Sequence, residues 1–314
     1  MSFSGDIKTE LAEQASPTRH CKLAELTAIC GCCGEYIPRP GGGLFFMLQS
    51  ESEYPIKAAY QLIKKLFHAA PEVLLSTGRS QARQRNYLLL LKDADTVGKM
   101  LFETKLMKAG GVLVDLSLPH ADLIPKNTCC KRAYLQGLFL CCGTMSDPHK
   151  AYRIEFVCES GADADDTAAL LSEFGIKAKR AKRKNRDVIY IKEGEKIADT
   201  LGVIGAKKAL LEFENIRILK DISGNVNRQV NCDAANMNKT AVAGTQQIRY
   251  IEKIAAVRGL DSLPDELREL AQARLNNPDM GLRELGALLS PPVGKSGVYH
   301  RFNKIKEIAE EIEE

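Results

Sequence analysis

The chain has 314 residues with 44 Lys and Arg against 40 Asp and Glu, a net charge of +4; 45% of it is hydrophobic, 27% charged, and tryptophan is absent. That length supports two or three domains with cores large enough to be stable without staples. The composition excludes a disordered or fibrous chain, and no apolar run approaches membrane-spanning length. The first fourteen residues, MSFSGDIKTELAEQ, carry charges where a secretory signal needs an apolar stretch, so a cytoplasmic location is expected.

In chain order, a first helix is expected through Ile7 and Leu11, capped by Ser2 or Ser4. A second covers 20–33. Strands over 35–40 and 44–49 flank the Gly41-Gly42-Gly43 turn. A helix over 58–68 has Ala59, Leu62, Ile63 and Leu66 on one face. Strands at 73–76 and 86–91 and a helix over 95–106 follow. The series then recurs: helix 133–142, a break at Ser146-Asp147-Pro148, strand 152–158, helix 164–174 ended by Gly175, strands 176–182 and 188–192, and helices over 193–201 and 206–213.

The recurrence is visible in the residues. AELTAICGCCG (24–34) aligns without a gap on AYLQGLFLCCG (133–143), so Ala24 answers to Ala133, Leu26 to Leu135 and Cys33-Gly34 to Cys142-Gly143. Both runs carry small residues at helical spacing (Ala28, Gly31 and Gly34; Gly137, Cys141 and Gly143), which lets two backbones approach closely. Two equivalent helices packed at the centre of a duplicated α+β domain are therefore expected, with repeats over about 19–110 and 128–219.

Residues 224–240, GNVNRQVNCDAANMNKT, contain five asparagines among seventeen residues. They read as a polar junction built from turns. Beyond it everything reads as helix: 242–257 ending at Gly259, 264–275 capped by Ser262, 282–289, then a break at Ser290-Pro291-Pro292-Val293-Gly294. A last helix, capped by Ser296, turns Val298, Phe302, Ile305 and Ile308 inward. Two short helices around a tight break form a helix-turn-helix pattern.

The paired central helices resemble the LAGLIDADG helices of homing endonucleases. The opening MSFSGDIKTELAE, the run KRAYLQGLFLCCGTMSDPHKAYRIEF (131–156) and NRQVNCDAANMNKT (227–240) together resemble the WhiA family of bacterial DNA-binding regulators. The resemblance implies a degenerate LAGLIDADG domain over 1–223, a linker over 224–240 and a helix-turn-helix domain over 241–314. It also implies a duplex-DNA partner in the nucleoid, roles in transcription, sporulation, cell division and chromosome segregation, and other transcription regulators or RNA polymerase as further partners.

Catalysis is not expected. Where the nuclease motif has metal-binding acids, this chain has Cys33 and Cys142, and a soft thiol is a poor ligand for Mg²⁺. Glu35 lies near the first position, but the second copy has no acid there (Thr144-Met145), and Asp147 falls past the helix end. No cofactor or metal is expected, and most of the ten cysteines read as small hydrophobes in the central helices. The rival readings are an endonuclease with unorthodox ligands and a cysteine-based redox or metal sensor.

For DNA, the last helix offers Ser296, Tyr299 and His300 toward bases and Lys295, Arg301 and Lys304 toward phosphates. Residues 228–314 carry 12 basic against 13 acidic side chains, so the basic excess lies elsewhere. It concentrates in IKAKRAKRKNR (176–186), read as a strand with Lys177, Lys179, Lys182 and Lys184 on one side and Arg180, Arg183 and Arg186 beside or opposite them. Arg79, Arg83 and Arg85 form a smaller cluster before the equivalent strand of the first copy.

Overall fold

The computed structural model describes residues 2–14, 16, 18–39, 43–77, 85–116 and 123–312. Contacts divide the chain into one unit over Met1–Leu219 and another over Lys220–Glu314.

In the first unit, helix α1 (Phe3–Glu13) begins at Ser2, whose hydroxyl accepts the Gly5 N–H at 3.2 Å. Helix α2 (Arg19–Cys33) leads into strands β1 (Gly34–Pro38) and β2 (Leu44–Ser50), helix α3 (Glu53–Phe67), strands β3 (Glu72–Thr77) and β4 (Arg85–Leu91), and helix α4 (Ala94–Glu103). The second copy runs α5 (Thr128–Cys142), β5 (Gly143–Met145), β6 (Ile154–Cys158), α6 (Gly161–Ser172), β7 (Lys179–Arg183), β8 (Arg186–Ile191) and α7 (Gly194–Ile204). Both sheets are antiparallel, ordered β1-β2-β4-β3 and β5-β6-β8-β7. The shared strand order is the structural form of the sequence repeat. Strand β5 was not expected, because three residues are too few for an alternation to show.

Helices α2 and α5 pack on each other at the centre. A Cβ on Gly137 would stand 2.6 Å from the Glu25 carbonyl oxygen and 2.8 Å from the Ala28 Cβ, so only glycine permits this approach. Around the crossing lie Leu26, Ile29, Leu135, Phe139 and Leu140, all fully buried. Gly34 and Gly143 follow the two helix ends, where a side chain would strike Phe46 or Phe139 and the chain turns into a strand.

A polar knot accompanies the crossing. Glu25 is buried, accepts the Ser16 hydroxyl at 2.7 Å, and takes a Gln136 amide hydrogen at 3.2 Å. The same Gln136 nitrogen reaches the Leu11 and Gln14 carbonyls, which ties α1 to the pair. Burial raises the Glu25 carboxyl to about 7, partly offset by the Ser16 hydrogen bonds.

The Asn-rich segment departs from expectation. Helix α8 (Lys207–Arg258) runs for 52 residues and includes the whole Asn-rich segment. The asparagine count masked a four-residue apolar spacing, Ile218, Ile222, Val226 and Val230. Polar side chains also bond along the helix: Arg228 donates to Asn225 at 2.6 Å and Thr240 to the Asn236 carbonyl at 3.0 Å. The helix ends at Gly259, where φ is +72°. Helices α9 (Asp265–Asn276), α10 (Leu282–Ala287) and α11 (Lys295–Glu310) complete the second unit. Ser262 lies in a short 3-10 turn and Pro264 takes the N-cap of α9, so the expected Ser262 cap is not made.

Glu25 yields a pH test. Its folded value lies above the ordinary 4.5, so the folded state holds a proton that the unfolded chain has released, and stability falls as pH rises from about 4.5 to 7. Glu25→Gln should remove this loss. Thermal melts should show the variant gaining on the parent by up to roughly 3 kcal/mol at pH 8, with little gain at pH 4.5. An equal effect at both values would refute the assignment.

Candidate nucleic-acid interface

Two surfaces gather the predicted residues. In the second unit, the core of Ile251, Ile254, Leu267, Leu270, Leu285, Val298, Phe302 and Ile305 fixes α11 by one face. Gly286 lets α10 approach the following turn: an added Cβ would lie 2.0 Å from the Val293 carbonyl oxygen, and the Val293 N–H donates to the Gly286 carbonyl at 2.8 Å. Arg274 is buried beneath α11. Its guanidinium donates to the Pro278 and Met280 carbonyls at 3.1 and 2.6 Å and lies 5.5 Å from the Phe302 ring centre. It therefore satisfies carbonyls after α9 while packing against α11.

On the opposite face of α11, Lys295, Ser296, Tyr299, His300 and Lys304 are exposed, and the rings of Tyr299 and His300 stand edge to face. Ser296 is not the cap: Gly294 holds that position and the helix starts at Lys295, so Ser296 lies in the first turn. Arg301 also differs from expectation. Its side chain is only 18% exposed and pairs with Glu266 of α9 at 3.0 Å, which gives it an intramolecular partner.

The other surface lies on the second sheet. Ile154, Phe156, Ile189 and Ile191 point into the core, so Glu155, Tyr190 and their register partners Thr144 and Lys179 point outward. Strand alternation splits the basic run differently from the sequence reading. Lys179 and Arg183 share the outer face, whereas Arg180 and Lys182 point to the other. Lys177 precedes the strand, and Lys184 occupies the hairpin turn at φ +56°. Arg180 is held by Asp187 at 2.9 Å and Asp165 at 2.7 Å, beside α6. Arg153 lies 4.5 Å from the Tyr190 ring centre and Lys192 lies 5.2 Å from it, and both add to the outer face. Alternation around Tyr190 could have revealed these two in the sequence.

The first sheet is different in kind. Its outer face carries Ile37, Phe45, Met47, Leu74, Leu88 and Leu90 beside Glu35, Gln49 and Glu72, and Arg39 lies 5.5 Å from the Phe45 ring centre, so it is more apolar and less basic than its counterpart. Arg79 and Arg83, and the side chain of Arg85, lie outside the described residues.

At the C-terminal ends of α2 and α5, Cys32, Cys33, Cys141 and Cys142 line a cavity of about 470 Å³ together with Lys8. Cys33 and Cys141 are 3.7 Å apart, and the Cys142 thiol donates to the Leu138 carbonyl at 3.2 Å. Hydrogen bonding among these thiols, then burial, holds Cys141 and Cys142 well above the ordinary thiol range, so both stay protonated at neutral pH. Glu35 is exposed, and Asp147 accepts the His149 N–H at 2.9 Å in a local turn.

Comparison with known proteins now places the chain. Two domain families match it, described as the WhiA LAGLIDADG-like domain over residues 131–223 and the WhiA C-terminal HTH domain over 226–309. A protein of Lachnoclostridium phytofermentans named "Probable cell division protein WhiA" is 39% identical over 310 residues, 99% of each chain. The chain belongs to the WhiA family. A relative of the same name from Thermoanaerobacter pseudethanolicus is 40% identical over 314 residues, covering 100% of this chain and 99% of its own. The crystal structure of full-length WhiA from Thermatoga maritima matches with a TM-score of 0.58 and 26% identity over 100% of both chains. The LAGLIDADG-like and helix-turn-helix architecture follows from these matches. Among the described residues no helix is long and apolar enough to cross a membrane.

The helix-turn-helix core yields a direct test. Gly286→Val should destabilise the second unit by roughly 2–4 kcal/mol, because the new side chain meets backbone rather than a flexible tip. Proteolysis should then cut within Lys220–Glu314 while Met1–Leu219 stays protected. A variant as resistant as its parent would contradict the packing described.

Proposed function

We propose that this chain is a non-catalytic DNA-binding regulator of cell division, acting in the cytoplasm on the nucleoid. On this reading it takes part in transcription and chromosome segregation and, in sporulating hosts, in sporulation. Regulators or RNA polymerase are the partners such a role would engage. The observation that carries the reading is the exposed first half of α11, set behind a helix-turn-helix break and anchored by Arg274 and Phe302. The N-terminal part of a recognition helix reaches base edges, so Ser296, Tyr299 and His300 are the proposed readers. Lys295 and Lys304 are the proposed phosphate contacts. Arg301 joins them only by giving up Glu266.

The outer face of the second sheet adds a phosphate-binding surface from Lys179, Lys192 and, on giving up their carboxylate partners Glu155 and Glu159, Arg153, Arg183 and Arg186, with Tyr190 at its centre. Of the remaining basic residues of the run, Lys177 and Lys184 flank this face, whereas Arg180 and Lys182 point to the other side. Thiols in place of carboxylates at Cys33 and Cys142 support the absence of cleavage, since hard oxygen ligands would be needed to hold Mg²⁺ at a phosphate.

Salt titration of duplex binding by the full chain separates the two surfaces. Lys304→Ala should weaken binding to all sequences and flatten the log–log salt slope by about one. His300→Ala should reduce discrimination between cognate and random DNA. Reversing charge at Lys179, Arg183 and Arg186 together should lower affinity without altering sequence preference. Unchanged affinity would make the sheet face an ordinary surface. Supercoiled DNA incubated with Mg²⁺ or Mn²⁺ should stay intact; nicking lost on Glu35→Ala would overturn the non-catalytic reading.

A further inference from the structure

The other end of the central helix pair carries a second group of soft side chains. His20 and Cys21 lie in the first turn of α2, and Cys129 and Cys130 lie in the first turn of α5. The alignment that matches Ala24 to Ala133 also matches His20 to Cys129 and Cys21 to Cys130, so the internal pseudo-symmetry brings two equivalent pairs to one place. The His20 Nδ1 lies 3.1 Å from the Cys130 Sγ, 3.4 Å from the Cys21 Sγ and 4.0 Å from the Cys129 Sγ. All four ligand atoms fall within 4.8 Å of one another, and this is the one such group among the described residues.

These separations can be set against coordination chemistry. Tetrahedral zinc with bonds of about 2.3 Å to sulfur and about 2.0 Å to nitrogen has N···S edges of about 3.5 Å and S···S edges of about 3.8 Å. The three observed N···S distances bracket that edge. The site also has the half-closed environment of a structural ion: Cys21 and Cys130 are buried against Ala24 and Ala133, while His20 and Cys129 face out.

We propose that His20, Cys21, Cys129 and Cys130 form a zinc site that pins the two repeats together at the N-terminal ends of their central helices. The ligand set, three thiolates and a neutral imidazole, leaves the bound site with a single negative charge. Two helix N-termini converge on it and favour that charge. Zinc binds thiolates, so each coordinating cysteine gives up its proton on binding. Binding therefore releases protons and strengthens as pH rises. The sequence reading takes most of the ten cysteines as small hydrophobes within the central helices and expects no metal. First-turn residues stand at the ends of the seam, where backbone geometry leaves their side chains free to converge.

The test uses the full untagged chain, purified under reducing conditions and supplied with zinc alone. Elemental analysis should find one tightly held zinc per chain. Cobalt(II) in its place should give the thiolate charge-transfer and intense ligand-field bands of a tetrahedral site. Cys129→Ser and His20→Asn alter exposed side chains and should keep the parent's circular dichroism, yet lose at least about tenfold in zinc affinity against a competing chelator. Cys141→Ser, at the opposite end of the helix pair, should bind as the parent does. Several results would overturn the proposal: a chain that takes up neither metal, variants that bind as well as the parent, or loss of metal only in Cys141→Ser. A disulfide from Cys21 or Cys129 to Cys130 in the reduced preparation would overturn it too.

Discussion

Everything in the first unit depends on how closely two helix backbones can approach. At the α2–α5 crossing, Gly137 sits against the Glu25 carbonyl with no room for a methyl group. That approach sets the position of the strands that leave the helix ends at Gly34 and Gly143, and so the placement of both sheets. It also brings like residues of the two repeats face to face. At the C-terminal ends those residues are thiols where the nuclease motif has acids; at the N-terminal ends they are His20, Cys21, Cys129 and Cys130. A close-packed interior propagates such a constraint rather than absorbing it, so one glycine contact governs features at both ends of the helices.

Much of this was legible in the sequence because duplication leaves a signal that needs no energy estimate. The gapless match of 24–34 to 133–143 gave the helix pair, and alternation in 152–158 gave β6. What stayed hidden followed physical rules that the sequence carries only weakly. Asparagine frequency argued for turns in 224–240, yet Val226 and Val230 continue the spacing of Ile218 and Ile222, and that spacing accompanies an unbroken helix. The basic run was read as one-sided although lysines at 179 and 182 differ in parity. Only the strand bounds show which of its cations share a face. Arg301 looked like a phosphate contact because nothing in a linear chain announces Glu266 as its partner. The convergence of His20-Cys21 on Cys129-Cys130 was accessible in principle, since the repeat offset alone predicts it.

The two copies have diverged in charge while keeping their topology. The outer face of the second sheet presents arginine and lysine around Tyr190, with Glu155 among them; the corresponding face of the first presents mainly leucine, methionine and phenylalanine, with Arg39 over Phe45. A duplex-binding surface needs cations spaced for phosphates, and among the described residues the first face offers fewer of them, Arg39 over Phe45 being one. The proposed DNA contacts of the first unit are thus asymmetric between copies that share one fold. The helix-turn-helix unit, near neutral overall, would supply recognition through position rather than through bulk charge.

Site-specific photo-crosslinking to duplex DNA tests this account most directly, with a photoreactive residue placed in the full chain at Tyr299, Tyr190 or Leu74 in turn. The account predicts strong crosslinks from Tyr299 on α11, salt-sensitive crosslinks from Tyr190 on the second sheet, and none above background from Leu74 on the first. Crosslinks from Leu74 with silence at Tyr299 would contradict it.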